Sequence, residues 1–203
     1  MADEKFELTS EFKVNVFGVK CFRIKALVDG KYYKKGELGG FLESLEIKGD
    51  ARVSGDAWVS GDARVYGNAM VYGDAMVSGN AMVYGDARVS GNAMVYGDAW
   101  VSGDARVSGN ARVSGNARVY GDARVYGNAR VSGDAMVSGN AMVYGDARVS
   151  GNAMVYGNAR VSGKIKLKSI LCSRFNFEFD WQVKLWQKKE EEFESEVKKK
   201  VKQ

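Results

Sequence analysis

Aspartate is the main candidate for acid–base or metal chemistry in this 203-residue chain. The chain has no histidine, and ten aspartates recur at equivalent positions between Asp50 and Asp146, alternating with asparagine. General-base catalysis needs one carboxylate that lies apart in a pocket and has a tuned pKa. A regular array of equivalent carboxylates does not provide this, so the sequence argues against an enzyme and predicts no catalytic residue and no cofactor.

The aspartates are also poor candidates for a metal site. The calcium-binding solenoid repeat has a period of about nine residues, whereas the period here is six. Aspartates eighteen residues apart, such as Asp86 and Asp104, are each followed two positions later by an arginine, here Arg88 and Arg106. We therefore expect neutralising pairs on a solvated surface. Two distant cysteines do not make a zinc ligand set, and no metal site is predicted.

These residues belong to an uninterrupted repeat. From Gly49 to Ser162 the chain consists of nineteen hexads of the form Gly-(Asp/Asn)-Ala-(Arg/Met/Trp)-Val-(Ser/Tyr). A period of six would scatter the valines around an α-helix, but each valine and its two neighbours alternate as in a β-strand. Glycine and Asn/Asp tolerate the left-handed backbone of a tight corner. The pattern predicts a corner every six residues, with valine and alanine inside and the variable residues outside.

Repeated corners of one kind close a coil, and three hexads, or 18 residues, make a triangular one. Coils that stack at a sheet spacing of about 4.8 Å bury valines that no single coil could bury. The hexad resembles the repeat of hexapeptide left-handed parallel β-helix proteins, which include acyltransferases. The resemblance implies an all-β, single-stranded, left-handed parallel β-helix (β-solenoid) of about six coils. Acyltransferases of that kind use a histidine base and often a projecting loop, and this repeat has neither.

A second resemblance lies upstream of the repeat. The stretch CFRIKALVDGKYYKKGELGGFLES, from Cys21 to Ser44, is similar to the leader of a group of bacterial and prophage-encoded β-solenoid proteins. That leader has an Arg-Ile-x-Ala-Leu strand followed by Lys-Lys-Gly-Asp-Leu-Gly-Gly, and Glu37 stands here in place of the aspartate. The resemblance implies a phage or prophage relation.

The ends of the chain are predicted to cover the open ends of the stack. We expect an N-terminal β cap over residues 1–48, with the apolar residues Phe12, Val14, Val16, Phe22 and Ile24 in a hairpin over the first coil, then the β-helix over 49–163. Residues 164–203 are predicted to form a cap strand and an amphipathic helix, with apolar positions at Phe175, Phe177, Phe179, Trp181, Trp186, Phe193, Val197 and Val201. The helix is predicted either to cap the stack or to mediate assembly.

Charge and composition restrict the partners. The net charge is +5, but the hexads carry ten arginines and ten aspartates, and such interleaved charges argue against nucleic-acid binding. No apolar run approaches the roughly 18 residues that span a bilayer, and the acidic start MADEKFELTS has no features of a signal peptide. Cys21 and Cys172 lie on opposite sides of the repeat, which favours reduced structural thiols. We predict a cytoplasmic or virion-associated protein with no membrane partner.

The outward residues fall into three faces when the hexads are sorted by threes. One face is dominated by arginine, whereas another carries eight apolar or aromatic residues among twelve outward positions. These eight are Tyr66, Met82, Tyr84, Trp100, Tyr120, Met136, Met154 and Tyr156. Contiguous apolar surface usually marks a contact site, although tyrosine and methionine also suit exposed strands and the C-terminal helix could cover them.

The sequence therefore predicts a non-enzymatic, rigid interaction protein that binds a protein partner or itself as a homo-oligomer. Two alternatives stay open. One is a hexapeptide acyltransferase relative that acts on acyl-CoA, against which the missing histidine argues. The other is binding to ice or another ordered surface, against which the mixture of Ser, Tyr and Arg on each face argues.

Overall fold

The structure is a computed structural model that describes residues 5–15, 18–45, 47–168, 171–172, 176–177, 182–184 and 188. The structure is built from short strands joined by corners, with about one strand for each hexad. In chain order the strands are β1 Phe6–Val14, β2 Lys20–Ala26, β3 Leu38–Leu42, β4 Ile47–Gly49, β5 Arg52–Val53, β6 Trp58–Val59, β7 Arg64–Gly67, β8 Met70–Val71, β9 Met76–Val77, β10 Met82–Val83, β11 Arg88–Val89, β12 Met94–Val95, β13 Trp100–Val101, β14 Arg106–Val107, β15 Arg112–Val113, β16 Arg118–Val119, β17 Arg124–Val125, β18 Arg130–Val131, β19 Met136–Val137, β20 Met142–Val143, β21 Arg148–Ser150, β22 Met154–Val155, β23 Arg160–Val161, β24 Lys166–Lys168, β25 Leu171–Cys172 and β26 Asn176–Phe177.

The strands form three sheets that run the length of a solenoid. Sheet A has the order β1-β2-β3-β6-β9-β12-β15-β18-β21-β24, sheet B runs from β4 to β25 and sheet C runs from β5 to β26. From β3 onward each sheet takes every third strand and is parallel, whereas β1 and β2 add an antiparallel edge to sheet A. Within the repeat, partners are 18 residues apart; Arg106, for example, pairs with Arg88 on one side and Arg124 on the other. The predicted parallel β-solenoid with three hexads per coil is confirmed. Its handedness stays a prediction.

The solenoid is longer than the hexads alone. Each sheet contains eight strands in parallel register, because β3 and β4 precede the hexads and β24 to β26 follow them. The nineteen hexads supply the roughly six coils expected, and residues with a different sequence continue the same spiral at both ends. The ladder depends on backbone groups, so it accepts coils that do not repeat the hexad.

The interior consists almost entirely of the repeated valines and alanines. From Ala51 to Val161 the hexad valines and alanines are at most 3% exposed. Backbone bonds connect each coil to the next: the Arg106 amide donates to the Ala123 carbonyl at 2.9 Å, and the Ser108 amide donates to the Val125 carbonyl at 2.9 Å. A single coil has no interior of its own, so burial of each valine depends on its neighbours.

The corners require glycine for two reasons, as Gly103 illustrates. Its φ is +66°, in the left-handed region that residues with a Cβ avoid. A Cβ at this position would also lie 3.0 Å from the amide nitrogen of Gly121 in the next coil. The invariant glycine therefore allows both the corner and the close stacking of corners.

An antiparallel hairpin precedes the first coil, in agreement with the predicted N-terminal hairpin. Strand β1 pairs with β2, and β2 pairs with β3, which passes into the parallel part of sheet A. Phe12 and Val14 lie in β1, and Phe22 and Ile24 lie in β2, as the hairpin requires. Ile24 is buried and Phe22 partly buried, whereas Phe12 and Val14 are 49% and 57% exposed. Strand β1 is the edge strand of sheet A, and the Phe12 ring contacts neighbours on β2, with the Phe22 ring at 6.1 Å; Val16 lies outside the described residues.

The interior of the first coil contains larger side chains than the valines that fill the interior of the following coils. Phe41 and Leu42 of β3 are fully buried, and the rings of Phe6 and Tyr33 lie 4.7 Å apart, centroid to centroid. The Phe41 ring also stacks on Trp58 of the next coil at 5.3 Å. The end of the valine core is thus closed by residues from the leader rather than by the hexads.

At the other end, Ile165 occupies an alanine position and Leu167 a valine position of sheet A, and both are fully buried. Phe177 in β26 is 4% exposed, and residues 182–184 are helical with Val183 buried. The other apolar positions predicted for the cap strand and helix lie outside the described residues: Phe175, Phe179, Trp181, Trp186, Phe193, Val197 and Val201. The division of the chain at 48 and 163 stays a prediction.

Candidate interaction surface

All eight residues of the predicted apolar face lie on the outside of sheet B, in two parallel columns. One column precedes each buried valine and contains Met82, Trp100, Met136 and Met154. The other follows each valine and contains Tyr66, Tyr84, Tyr120 and Tyr156. The register places residues 18 apart directly above one another, for example Met82 beside Trp100 and Met136 beside Met154.

The surface is accessible but packed against itself. Tyr120, Met154 and Tyr156 are 36–40% exposed, and the other five are partly buried. Tyr66, Tyr84 and Trp100 contact one another along the columns, and Arg118 lies against Trp100. Such a surface loses little side-chain entropy when a partner covers it.

The aromatic rings nearest the N-terminal end of sheet B form a continuous stack. The Tyr66 and Tyr84 rings are parallel within 2°, with centroids 5.0 Å apart. The Tyr84 ring meets Trp100 edge-on at 6.5 Å, and the Arg118 guanidinium lies 5.0 Å from the Trp100 ring centroid. Offset, edge-on and cation–π contacts of this kind are each worth roughly 0.5–1.5 kcal/mol. They hold the rings in fixed orientations.

The environment of the Tyr66 ring is less polar than that of an exposed phenol. Burial, followed by the neighbouring Tyr84 hydroxyl, raises the pKa of Tyr66 above its ordinary value, while Arg64 opposes the change. The phenol of Tyr66 is therefore neutral at physiological pH. A neutral ring with one polar group suits a protein contact.

A shallow groove interrupts the tyrosine column at Ser102. The serine leaves a gap between Tyr84 and Tyr120, and the groove measures about 240 Å³. Its lining is completed by Trp100, Arg118 and Met136. A side chain from a partner could insert between the two tyrosines, with Trp100 as the base of the groove. The sequence pattern places these residues on one sheet, but it does not reveal the groove.

The other two sheets have different exteriors. Sheet C has one stacked aromatic pair, Tyr126 and Tyr144, at 5.0 Å, and is otherwise dominated by arginine. Sheet A changes along its length, from apolar Trp58 and Met76 to the cations Arg112 and Arg148. The apolar surface is thus most extensive on sheet B.

Two features of the described residues concern other kinds of site. Within them, no group of three or more His, Cys, Asp or Glu side chains could hold a metal ion. The helical segments in the same part of the chain are too short or too polar to cross a bilayer.

The neutralising contacts predicted between aspartates and arginines are absent, because described residues 57–168 form no ion pair within 4.0 Å.

The fold and this surface define a β-solenoid protein with an exposed aromatic face. Two family profiles match the chain. A profile described as bactofilin, polymer-forming cytoskeletal, matches residues 41–140, and one described as the YdcK β-solenoid repeat matches residues 135–149 and 147–163. No curated protein matches the chain. Both profile matches agree with the β-solenoid, and neither reaches the leader motif between Cys21 and Gly40.

Proposed function

We propose that this chain is a non-enzymatic structural rod that binds a second copy of itself through sheet B. The observation that carries the proposal is the aromatic and methionine surface of sheet B, with its rings held in a fixed stack and a gap at Ser102. The similarity over residues 41–140 to a family described as polymer-forming supports self-association.

The geometry of sheet B suits a side-by-side contact. Six strands of hexad sequence, β7 to β22, cover five intervals of about 4.8 Å, so the apolar columns extend for roughly 24 Å. A flat, regular surface of this kind can pair with its own copy about a twofold axis, with a tyrosine or methionine of one copy entering the Ser102 gap of the other. Aromatic residues and methionine are enriched in the cores of such interfaces.

The proposed role does not include catalysis. The acyltransferase alternative would need a base, and the chain has no histidine. The ice-binding alternative would need a flat array of short hydroxyls, whereas one sheet B column mixes tyrosine with serine and the other mixes methionine and tryptophan with arginine. The phage or prophage relation and the cytoplasmic or virion-associated location stay predictions.

The test replaces Tyr84, Trp100 and Tyr120 with serine in the full chain and measures mass by light scattering coupled to size exclusion. Loss of the central rings should reduce the mass of the self-associated form toward that of a single chain, 22.2 kDa. The matched control replaces Tyr72, Tyr126 and Tyr144 on sheet C with serine, which removes three aromatic rings from a different face.

The control should keep the parental mass, and circular dichroism should show that both triple variants remain folded. An unchanged mass in the sheet B variant would reject this interface. An equal loss in both variants would show that the association depends on aromatic content in general and not on sheet B. A parental chain of monomeric mass at high concentration would reject self-association itself.

A further inference from the structure

A column of cations on sheet A differs from every other arginine column of the solenoid. Arg112, Arg130, Arg148 and Lys166 follow one another in register in strands β15, β18, β21 and β24. With a strand spacing of about 4.8 Å, the four cations occupy a line of roughly 14 Å parallel to the solenoid axis. All four side chains are exposed.

The corner residues beside this column provide almost no neutralising charge. The arginines at 112 and 130 follow Asn110 and Asn128, and Lys166 follows Lys164; among these corners only Asp146 is a carboxylate. That single carboxylate is already engaged, because its Oδ1 accepts a hydrogen bond from Asn128 Nδ2 at 3.0 Å. Asn128 Oδ1 in turn accepts from Asn110 Nδ2 at 3.1 Å, so the corners form an amide ladder.

Cations and corner residues line one open groove of about 620 Å³. The lining consists of Asn110, Arg112, Asn128, Arg130, Asp146, Arg148, Lys164 and Lys166, with a net charge of +4. None of its five cations forms an ion pair within 4.0 Å in the described part of the chain. The groove thus concentrates positive potential that the described residues do not neutralise.

Sheet C provides an internal reference for this arrangement. Its column of Arg88, Arg106 and Arg124 stacks in the same register, but the corner residues beside it are aspartates, namely Asp86, Asp104 and Asp122. Three cations there lie next to three carboxylates along the chain, so the net charge of the six residues is zero, although none of them forms an ion pair within 4.0 Å in the described part of the chain. The same backbone therefore presents a neutral column on one face and an uncompensated one on another, and the difference is asparagine in place of aspartate.

We propose that the sheet A groove binds an extended acidic polypeptide segment. Guanidinium groups pair with carboxylates through two parallel hydrogen bonds, and the line of about 14 Å matches four or five residues of extended chain at about 3.3 Å each. Carboxylates on one side of such a segment recur every second residue, a spacing that flexible arginine side chains can reach from neighbouring strands. The free amide hydrogens of Asn110 and Asn128 can donate to the backbone of the segment.

A nucleic-acid strand fits the groove less well. Proteins that bind single strands combine positive charge with aromatic side chains on which bases stack. The lining here has no aromatic residue, and the column on the other side of the arginines is serine at Ser114, Ser132 and Ser150. Phosphates could reach the cations, but the bases would find no stacking platform.

The experiment measures binding of a fluorescein-labelled hexaglutamate peptide to the full chain by anisotropy at low salt. The double variant Arg130→Gln, Arg148→Gln should weaken binding at least tenfold. The matched variant Arg106→Gln, Arg124→Gln on sheet C loses the same charge from the same strand positions and should change affinity less than twofold. Equal losses in the two variants would overturn the proposal, because the binding would then follow net charge alone.

A second variant tests the role of the corner residues without removing any arginine. Asp104→Asn with Asp122→Asn converts the sheet C column to the sheet A pattern and should create a second binding site, with calorimetric stoichiometry rising from one peptide per chain to two. An unchanged stoichiometry would contradict the role assigned to the asparagines.

In a parallel experiment, a fluorescein-labelled thymidine oligonucleotide of equal charge should bind at least tenfold more weakly than the peptide. Tighter binding of the oligonucleotide would reject the acidic polypeptide as the ligand.

Discussion

The hexad coils and the N-terminal hairpin are stabilised by different kinds of contact. Between residues 57 and 168 the described residues form no ion pair, and each coil offers the next the same valine, alanine and backbone ladder. The hairpin, the loop that follows it and the first two hexads together contain seven ion-pair contacts, among them Lys13 to Asp56 and Lys25 to Glu7, each at 2.8 Å.

This difference separates a part that can be extended from a part that ends the stack. Identical coils stack in any number, because every coil is a template for the next. The hairpin cannot be repeated, since its contacts are specific: Arg23 lies beside Glu11 and Asp56 and also over the Phe41 ring, at 4.4 Å from its centroid. The repeat determines the length of the rod, and the hairpin determines where it begins.

A charge placed inside the repeat should have the largest effect. Val107→Asp puts a carboxylate at a position that is 0% exposed, with alanines and valines of adjacent coils around it. An uncompensated buried charge costs on the order of 3–5 kcal/mol, and each coil depends on its neighbours for burial. We expect a large fall in the melting temperature measured by circular dichroism, with the central coils unfolding first.

Arg106→Asp is the control for this variant, because it places the same carboxylate on the exposed side of the same strand. It should change stability by less than about 1 kcal/mol. If Val107→Asp melts at the parental temperature, the valines are not the interior that the fold requires.

The repeat was predictable from the sequence because one pattern specifies every level of its structure. A glycine at each corner, a valine on each strand and an uninterrupted period of six leave one arrangement that buries all the valines. The same periodicity placed the eight apolar residues, including Trp100 and Tyr120, on one sheet. Their ring orientations were not predictable, because these depend on rotamers and on gaps such as the one at Ser102.

The hairpin was predictable only in outline. Alternation of apolar residues indicated strands between Glu11 and Leu27, but it did not show that β1 lies at the edge of the sheet, where Phe12 is 49% exposed. Pairing of β2 with β3 crosses a loop of eleven residues that carries no repeat signal. The groove on sheet A was also missed, since a count of charges over all the hexads gives equal numbers of arginines and aspartates. Such a count does not show that most arginines of one column lie beside asparagines.

A glycine substitution should have an intermediate effect that distinguishes the two regions. Gly103→Ala requires a left-handed backbone, at about 1–2 kcal/mol, and also brings a Cβ to 3.0 Å from the Gly121 nitrogen. Gly36 in the leader has a φ of +84° with nothing within 4 Å of an added Cβ, so Gly36→Ala carries the backbone cost alone. Urea denaturation should show a greater loss for Gly103→Ala, and equal losses would mean that stacking of corners does not require glycine.

An ion-pair substitution in the hairpin should have the smallest effect and should depend on pH. The hydrogen bond from Lys13 to Asp56, followed by the charges of Lys13 and Arg23, lowers the pKa of that carboxyl. A carboxyl whose pKa is lower in the folded than in the unfolded state stabilises the fold at pH values above its unfolded pKa of about 4. That stabilisation is lost as the pH falls through the folded pKa. Because both partners are largely exposed, Asp56→Asn should cost less than about 1 kcal/mol at pH 7.

The difference in melting temperature between Asp56→Asn and the parent should close below about pH 4 and shrink in 1 M salt. The control is Asp62→Asn, which changes an exposed corner without an ion pair and should melt like the parent at any pH. A difference for Asp56→Asn that persists unchanged to pH 2 would show that the hairpin is attached by packing rather than by charge.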